Sequence, residues 1–181
     1  MTTSRPSTAD NSGEMVRPIR RSKAFNEEWQ ARAFLAHLGW PTGSTVQRPT
    51  EATYEFECVK DETGERLALE IKNLTWGPQV MRAASKRPSD PGYREEIKFP
   101  PADLVLREEA KARLEKANQQ LSKASATRRC VLLVWQYHAP EHVPLLQCAI
   151  GSLPRHRFPS IDEVWLTTTH LLNFCRIDLA H

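Results

Sequence analysis

Two short runs of alternating residues carry the groups best suited to chemistry. Residues 53–60 set Tyr54, Phe56 and Cys58 against Glu55, Glu57 and Val59, and residues 66–72 set Leu67, Leu69 and Ile71 against Ala68, Glu70 and Lys72. A period of two is that of a β-strand with one apolar face. The intervening Asp61-Glu62-Thr63-Gly64 is a polar, glycine-bearing turn, so the pair is predicted to form an antiparallel hairpin. If the turn centres between Glu62 and Thr63, then Glu55 lies opposite Glu70, Glu57 opposite Ala68 and Thr53 opposite Lys72. Three carboxylates and one ammonium then share a face, and a slip of one residue would send every side chain to the other face.

Such a face is costly without a ligand. Like charges a few ångströms apart repel by roughly 4 kcal/mol per pair at an effective dielectric near 20. A divalent cation reverses the sign of that interaction. Mg²⁺, or Mn²⁺ in its place, takes oxygen ligands, commonly one or two carboxylates completed by water and substrate phosphate. Beside it an ammonium such as that of Lys72 can orient a water or stabilise developing charge. Phosphodiester hydrolysis is the reaction these parts suit. The same residues also fit an ordinary solvated sheet face with Lys72 paired across it.

Several elements must position these groups. Phe25, Trp29, Phe34 and Leu38 recur at helical spacing and are closed by Gly39, which predicts a first helix over 25–38. Pro41, Gly43 and Pro49 mark a loop or edge segment before the hairpin. Residues 77–101 hold five prolines and five basic residues (Arg82, Lys86, Arg87, Arg94, Lys98) against three acidic ones, a long loop. Leu106, Ala110, Leu114, Ala117 and Leu121 form a stripe that predicts a helix over 104–124. Cys130 to Tyr137 reads as a strand buried on both faces. A proline-rich connection follows, then strands at Glu163–Thr168 and around Asn173–Leu179.

Glu70-Ile71-Lys72 on the second strand of a hairpin, with an acid on the preceding strand and a helix before it, resembles the PD-(D/E)XK nuclease superfamily. The resemblance spans about residues 25–138. It implies a restriction-endonuclease-like α/β core, a mixed central sheet flanked by helices in α-β-β-β-α-β order, and Mg²⁺-dependent cleavage of nucleic acid. Residue by residue it implies that Glu70 and Lys72 are the acid and lysine of the E-x-K element and that Glu55 is the upstream acid and, with Glu70, a metal ligand. That upstream position is usually Asp, and Glu57 and Glu51 are alternatives. A glutamate on the first helix matches Glu28, with Glu27 next. A Gln or Lys on the helix after the hairpin matches Gln120, Gln119 or Lys116. Two further acid-x-Lys triplets lack this context: Glu96-Ile97-Lys98 runs into Phe99-Pro100-Pro101, and Glu109-Ala110-Lys111 lies in the second helix.

The chain has 181 residues, 40% hydrophobic and 26% charged, with 13 Pro, 7 Gly, 4 Cys and a net charge of +3. This excludes collagen-like, coiled-coil, disulfide-scaffold and wholly disordered classes. Residues 1–24 lack Leu, Phe, Trp and Tyr and are read as a flexible tail, leaving 25–181 as one domain. No run is long and apolar enough for a bilayer, and a cytoplasmic protein is expected. The scattered Cys58, Cys130, Cys148 and Cys175 form no metal-ligand pair. His138 and His142 have helical metal-ligand spacing, but Pro140 stands between them. Residues 107–129 carry seven basic against three acidic residues, so Lys116, Arg128 and Arg129, with Arg82, Lys86 and Arg87 of the long loop, are candidate phosphate contacts. The expected function is a metal-dependent deoxyribonuclease, endo- or exo-acting, with Glu28 or Gln120 assisting. RNA is the other candidate substrate, and a homodimer would serve two-strand cleavage. The rival reading is a non-catalytic member of the same fold that binds nucleic acid or protein.

Overall fold

β3, ten residues from Glu65 to Leu74, is the longest strand and runs through the middle of the sheet. The computed structural model of the chain describes residues 23–50, 54–76, 102–136, 142–170 and 173–181. Its elements in order are α1 (Lys23–His37), β1 (Thr45–Gln47), β2 (Phe56–Lys60), β3, α2 (Ala102–Leu121), β4 (Arg128–Trp135), α3 (His142–Gly151), a short 3₁₀ turn at Arg155–Arg157, β5 (Glu163–Thr168) and β6 (Cys175–Ile177). The molecule is α/β, with one mixed, open, six-stranded sheet in the order β1-β2-β3-β4-β5-β6. β2 runs antiparallel to both of its neighbours, β1 and β3, while β3, β4 and β5 run parallel and β6 turns back antiparallel to β5.

The hairpin register is the one its turn predicts. Phe56 pairs with Leu69, Glu57 with Ala68, Cys58 with Leu67 and Lys60 with Glu65. Gly64 adopts φ 67° and donates its amide to Lys60 O at 2.8 Å, a left-handed conformation that glycine takes without penalty.

Alternation along β3 divides the core into two layers. Leu67, Leu69 and Ile71 join Phe56, Cys58, Cys130, Leu132 and Val134 under α1, which contributes Ala31, Phe34 and Leu35. Ala68 and Leu74 join Val131, Leu133, Trp135, Val164 and Leu166 under α2 and α3. The α2 stripe Leu106, Ala110, Leu114, Ala117 and Leu121 is wholly buried, as its spacing predicts. Each such Leu or Val contributes about 1.5–3 kcal/mol relative to an exposed position.

Three expectations need correction. The first helix buries Glu27, Ala31, Phe34 and Leu35, whereas Trp29 is 47% exposed, so its inner face is rotated from the Phe25–Trp29–Phe34–Leu38 line. Lys23 and Ala24, assigned to the tail, belong to α1. The proline-rich connection contains α3, because Pro144 lies in the first turn of that helix, where its missing amide would have no helical partner in any case. Residues 1–22 and the basic loop at 77–101 lie outside the described residues.

Candidate functional site

Glu70 and Lys72 alternate with Leu69 and Ile71 and therefore face the α2 side of the sheet, with Ala68 and Leu74. One step beyond the Phe56–Leu69 pair, the same register sets Glu55 against Glu70. The two acids are tied by reciprocal bonds. The Glu55 amide donates to Glu70 Oε2 at 2.9 Å, and the Ile71 amide donates to Glu55 Oε2 at 3.0 Å. Lys72 Nζ donates to Glu70 Oε1 and lies 4.0 Å from Glu55 Oε1. Glu70 is fully buried and Lys72 nearly so.

Burial dominates the electrostatics. Burial first, and then the neighbouring Glu70 charge, push the Glu55 carboxyl up to about 7 against the pull of Lys72. Burial also raises Glu70, opposed by its bond and attraction to Lys72, the Glu55 amide, and the more distant charge of Lys116. Lys116 on α2 is thus felt at the site, while its own side chain is exposed. Gln120 lies one turn further along the same side of α2, half buried, whereas Gln119 is exposed.

The helix acid that approaches the pair is Glu27. Glu27 is buried, adds to the rise in the Glu55 pKa, and accepts from Arg48 Nη2 at 2.6 Å. Glu28 instead forms a surface pair with Arg32 at 3.0 Å, with both side chains about half exposed. The physical reason is helix phase: Glu27 stands four residues before buried Ala31, on the same face. Of the two helix acids weighed from the sequence, the structure thus brings the second choice, Glu27, near the pair and leaves Glu28 at the surface.

Other candidates are placed elsewhere. Glu57 is bound by Arg66 of β3 and pairs with Ala68, two residues along the strand from the Glu55–Glu70 pair. Glu51 lies outside the described residues, as do Arg82, Lys86, Arg87 and His138. Arg128 and Arg129 do not line the acidic pair. Their strand pairs are with Leu67 and Ala68, whereas Glu70 pairs with Val131, three residues beyond Arg128 and two beyond Arg129, or about 10 and about 7 Å further along. Arg128 grips Glu163 through Nε and Nη2 at 2.9 and 2.8 Å, and Arg129 grips Asp162 at 3.2 and 3.1 Å. These arginines tie β4 to β5 and to the turn before it. Sequence reasoning missed Arg48 altogether, since a single arginine between an edge strand and a proline gives no periodic signal.

A metal would meet two carboxylates here. Among the described residues no group of three or more His, Cys, Asp or Glu side chains is arranged to hold an ion. A hard divalent cation nevertheless takes as few as one or two protein carboxylates, completing its shell with water and phosphate. Glu55 and Glu70, adjacent oxygen donors with a raised affinity for positive charge, match that donor type. Among the described residues no helix is long and apolar enough to cross a membrane. No protein-family model matches the chain, and neither a curated protein nor a solved structure matches it.

Proposed function

We propose that the protein is a metal-dependent nuclease that hydrolyses phosphodiesters in DNA, built on a restriction-endonuclease-like core. The observation that carries this reading is the convergence of Glu55, Glu70 and Lys72 at one end of the β2–β3 hairpin, where a buried and a partly buried carboxylate share a site at a cost that a cation would relieve. The α-β-β-β-α-β order from α1 to β4, with β3 and β4 parallel, supports the core. Glu27 and Lys116 flank the cluster from the helices on either side.

In this reading Glu55 and Glu70 hold Mg²⁺ or Mn²⁺, which supplies neutralisation of charge on the scissile phosphate. Lys72 has two duties. It offsets the negative charge of the acids, and its ammonium stabilises charge that builds on the phosphate oxygens. Lys116 draws the substrate backbone toward the cluster from the α2 side.

The test is cleavage of single- and double-stranded DNA and RNA with Mg²⁺ or Mn²⁺, comparing the wild type with Glu70→Ala and Lys72→Ala. The reading requires cleavage that both substitutions abolish. Activity that survives both overturns the site, and metal-independent DNA binding without cleavage would favour the non-catalytic alternative.

A further inference from the structure

Continuing the β1–β2 register, in which Gln47 pairs with Glu57, sets Arg48 opposite Phe56 and Pro49 opposite Glu55. Arg48 therefore emerges at the acidic end of the hairpin, on the side of α1. Its guanidinium is held twice. Nη2 donates to Glu27 Oε2 at 2.6 Å, and the guanidinium carbon lies 4.7 Å from the centroid of the Phe56 ring. Even so, the Arg48 side chain is 46% exposed, while that of its partner Glu27 is 11% exposed.

Compare the two cations paired with the acids of the cluster. Lys72 is buried between Glu55 and Glu70, so its ammonium is committed to those acids and to whatever they hold. Arg48 spends one donor on Glu27 and one face on Phe56, yet a guanidinium has five N–H donors in a fixed fork. A fork already oriented by an ion pair and an aromatic ring loses little freedom on taking a phosphate, and it can do so through two parallel bonds. Such a group also offsets the repulsion that Glu27, Glu55 and Glu70 exert on a polyanion.

We propose that Arg48 is a substrate-binding residue. Its outward edge takes a backbone phosphate at the acidic end of the hairpin, on the α1 side and across the sheet from Glu70 and Lys72, and Glu27 and Phe56 fix its orientation. The identity of the substrate as DNA rests on the nuclease reading above. Charge-assisted contact at this point predicts a salt-dependent contribution to binding rather than a change in the chemical step.

The experiment is fluorescence-anisotropy binding of a labelled DNA duplex to the full chain in EDTA across a salt series, with Arg48→Ala, Arg48→Lys, Glu27→Gln and the double variant Arg48→Ala/Glu27→Gln, each checked for a cooperative melt. Arg48→Ala is expected to weaken binding about threefold to tenfold at low salt and to reduce the slope of log K against log salt by about 0.9. Arg48→Lys is expected to keep the slope. The double variant is expected to keep the deficit, because losing the phosphate contact is not repaired by removing the Glu27 charge. A slope equal to wild type in Arg48→Ala, affinity restored in the double variant, or a wild type that does not bind DNA overturns the proposal. If Arg48→Ala does not fold, Arg48→Gln provides the same slope comparison. Cleavage with Mg²⁺ is measured on the same preparations. Wild type that binds with an Arg48-dependent slope but never cleaves overturns the nuclease reading alone, and cleavage with an Arg48-independent slope overturns the Arg48 assignment alone.

Discussion

Two clusters of opposite charges lie on the same sheet, and they behave in contrary ways. At the amino ends of β4 and β5, Arg128 and Arg129 pair with Glu163 and Asp162. Despite some burial, those bonds hold both carboxyls below their ordinary range. At the other end of the hairpin, Glu55 and Glu70 are raised instead, because burial of both, and for Glu55 the neighbouring Glu70 charge as well, outweigh a single lysine. The first cluster has an arginine fork for each acid and keeps contact with water. The second has three acids within range, two of them buried and Glu55 partly so. Ion pairs matched one to one fasten strands together, whereas a surplus of buried acid stores free energy that a proton or a cation can recover.

The largest expected effect breaks the second cluster. Glu70→Gln and Lys72→Met should each lower cleavage by at least about 10²-fold, measured as single-turnover rate with saturating Mg²⁺. Glu70→Gln should at the same time leave Tm unchanged or raise it, since it removes a charge that folding had to desolvate. Loss of activity together with loss of fold would equate the two clusters.

Next in size is a break in the first cluster. Arg128→Ala leaves Glu163 partly buried without its fork and should cost about 1–3 kcal/mol in denaturant unfolding, with the cleavage rate of the folded fraction unchanged.

Stability against pH separates the clusters by sign. Glu55, raised from 4.5 to about 7, binds its proton more tightly when folded, so its contribution falls as pH rises between those values. Asp162 and Glu163 are lowered, so theirs is present above the ordinary carboxylate range and is lost as pH falls through the folded values. Glu55→Gln should therefore gain stability over wild type between pH 5 and 8, by about 2 kcal/mol at the upper end. Glu163→Gln should lose its deficit in acid. Melting curves from about pH 2 to about pH 8 check both.

The smallest effect is Glu28→Ala. An exposed pair one helical turn apart is worth about 0.3–0.5 kcal/mol, and neither cleavage nor binding should change, in contrast to Glu27→Ala.

The hairpin was legible in the sequence because a turn of fixed length and a period of two together determine which residues oppose one another, which is why Glu55, Glu70 and Lys72 meet as expected. The α2 stripe and the doubly buried β4 were legible for the same periodic reason. Glu27 and Glu28 could not be separated by that logic. Adjacent helical positions differ by only 100°, and the aromatic spacing of Trp29 pointed to a face that packing did not choose. Arg128 and Arg129 were misleading because charge in a sequence does not show whether a partner waits 33 or 35 residues further on. α3 was hidden by a proline that a first helical turn tolerates.

The reciprocal bonds between Glu55 and Glu70 have a spectroscopic consequence. Each carboxylate is read by a main-chain amide of the opposite strand, that of Ile71 or that of Glu55. Those two amides are built-in reporters. In a proton–nitrogen correlation spectrum their resonances should move together whenever either acid gains a proton, a cation or a phosphate neighbour. Their hydrogen-exchange rates should rise when the carboxylates turn toward a ligand, so occupancy of the site can be followed with no label attached to any side chain.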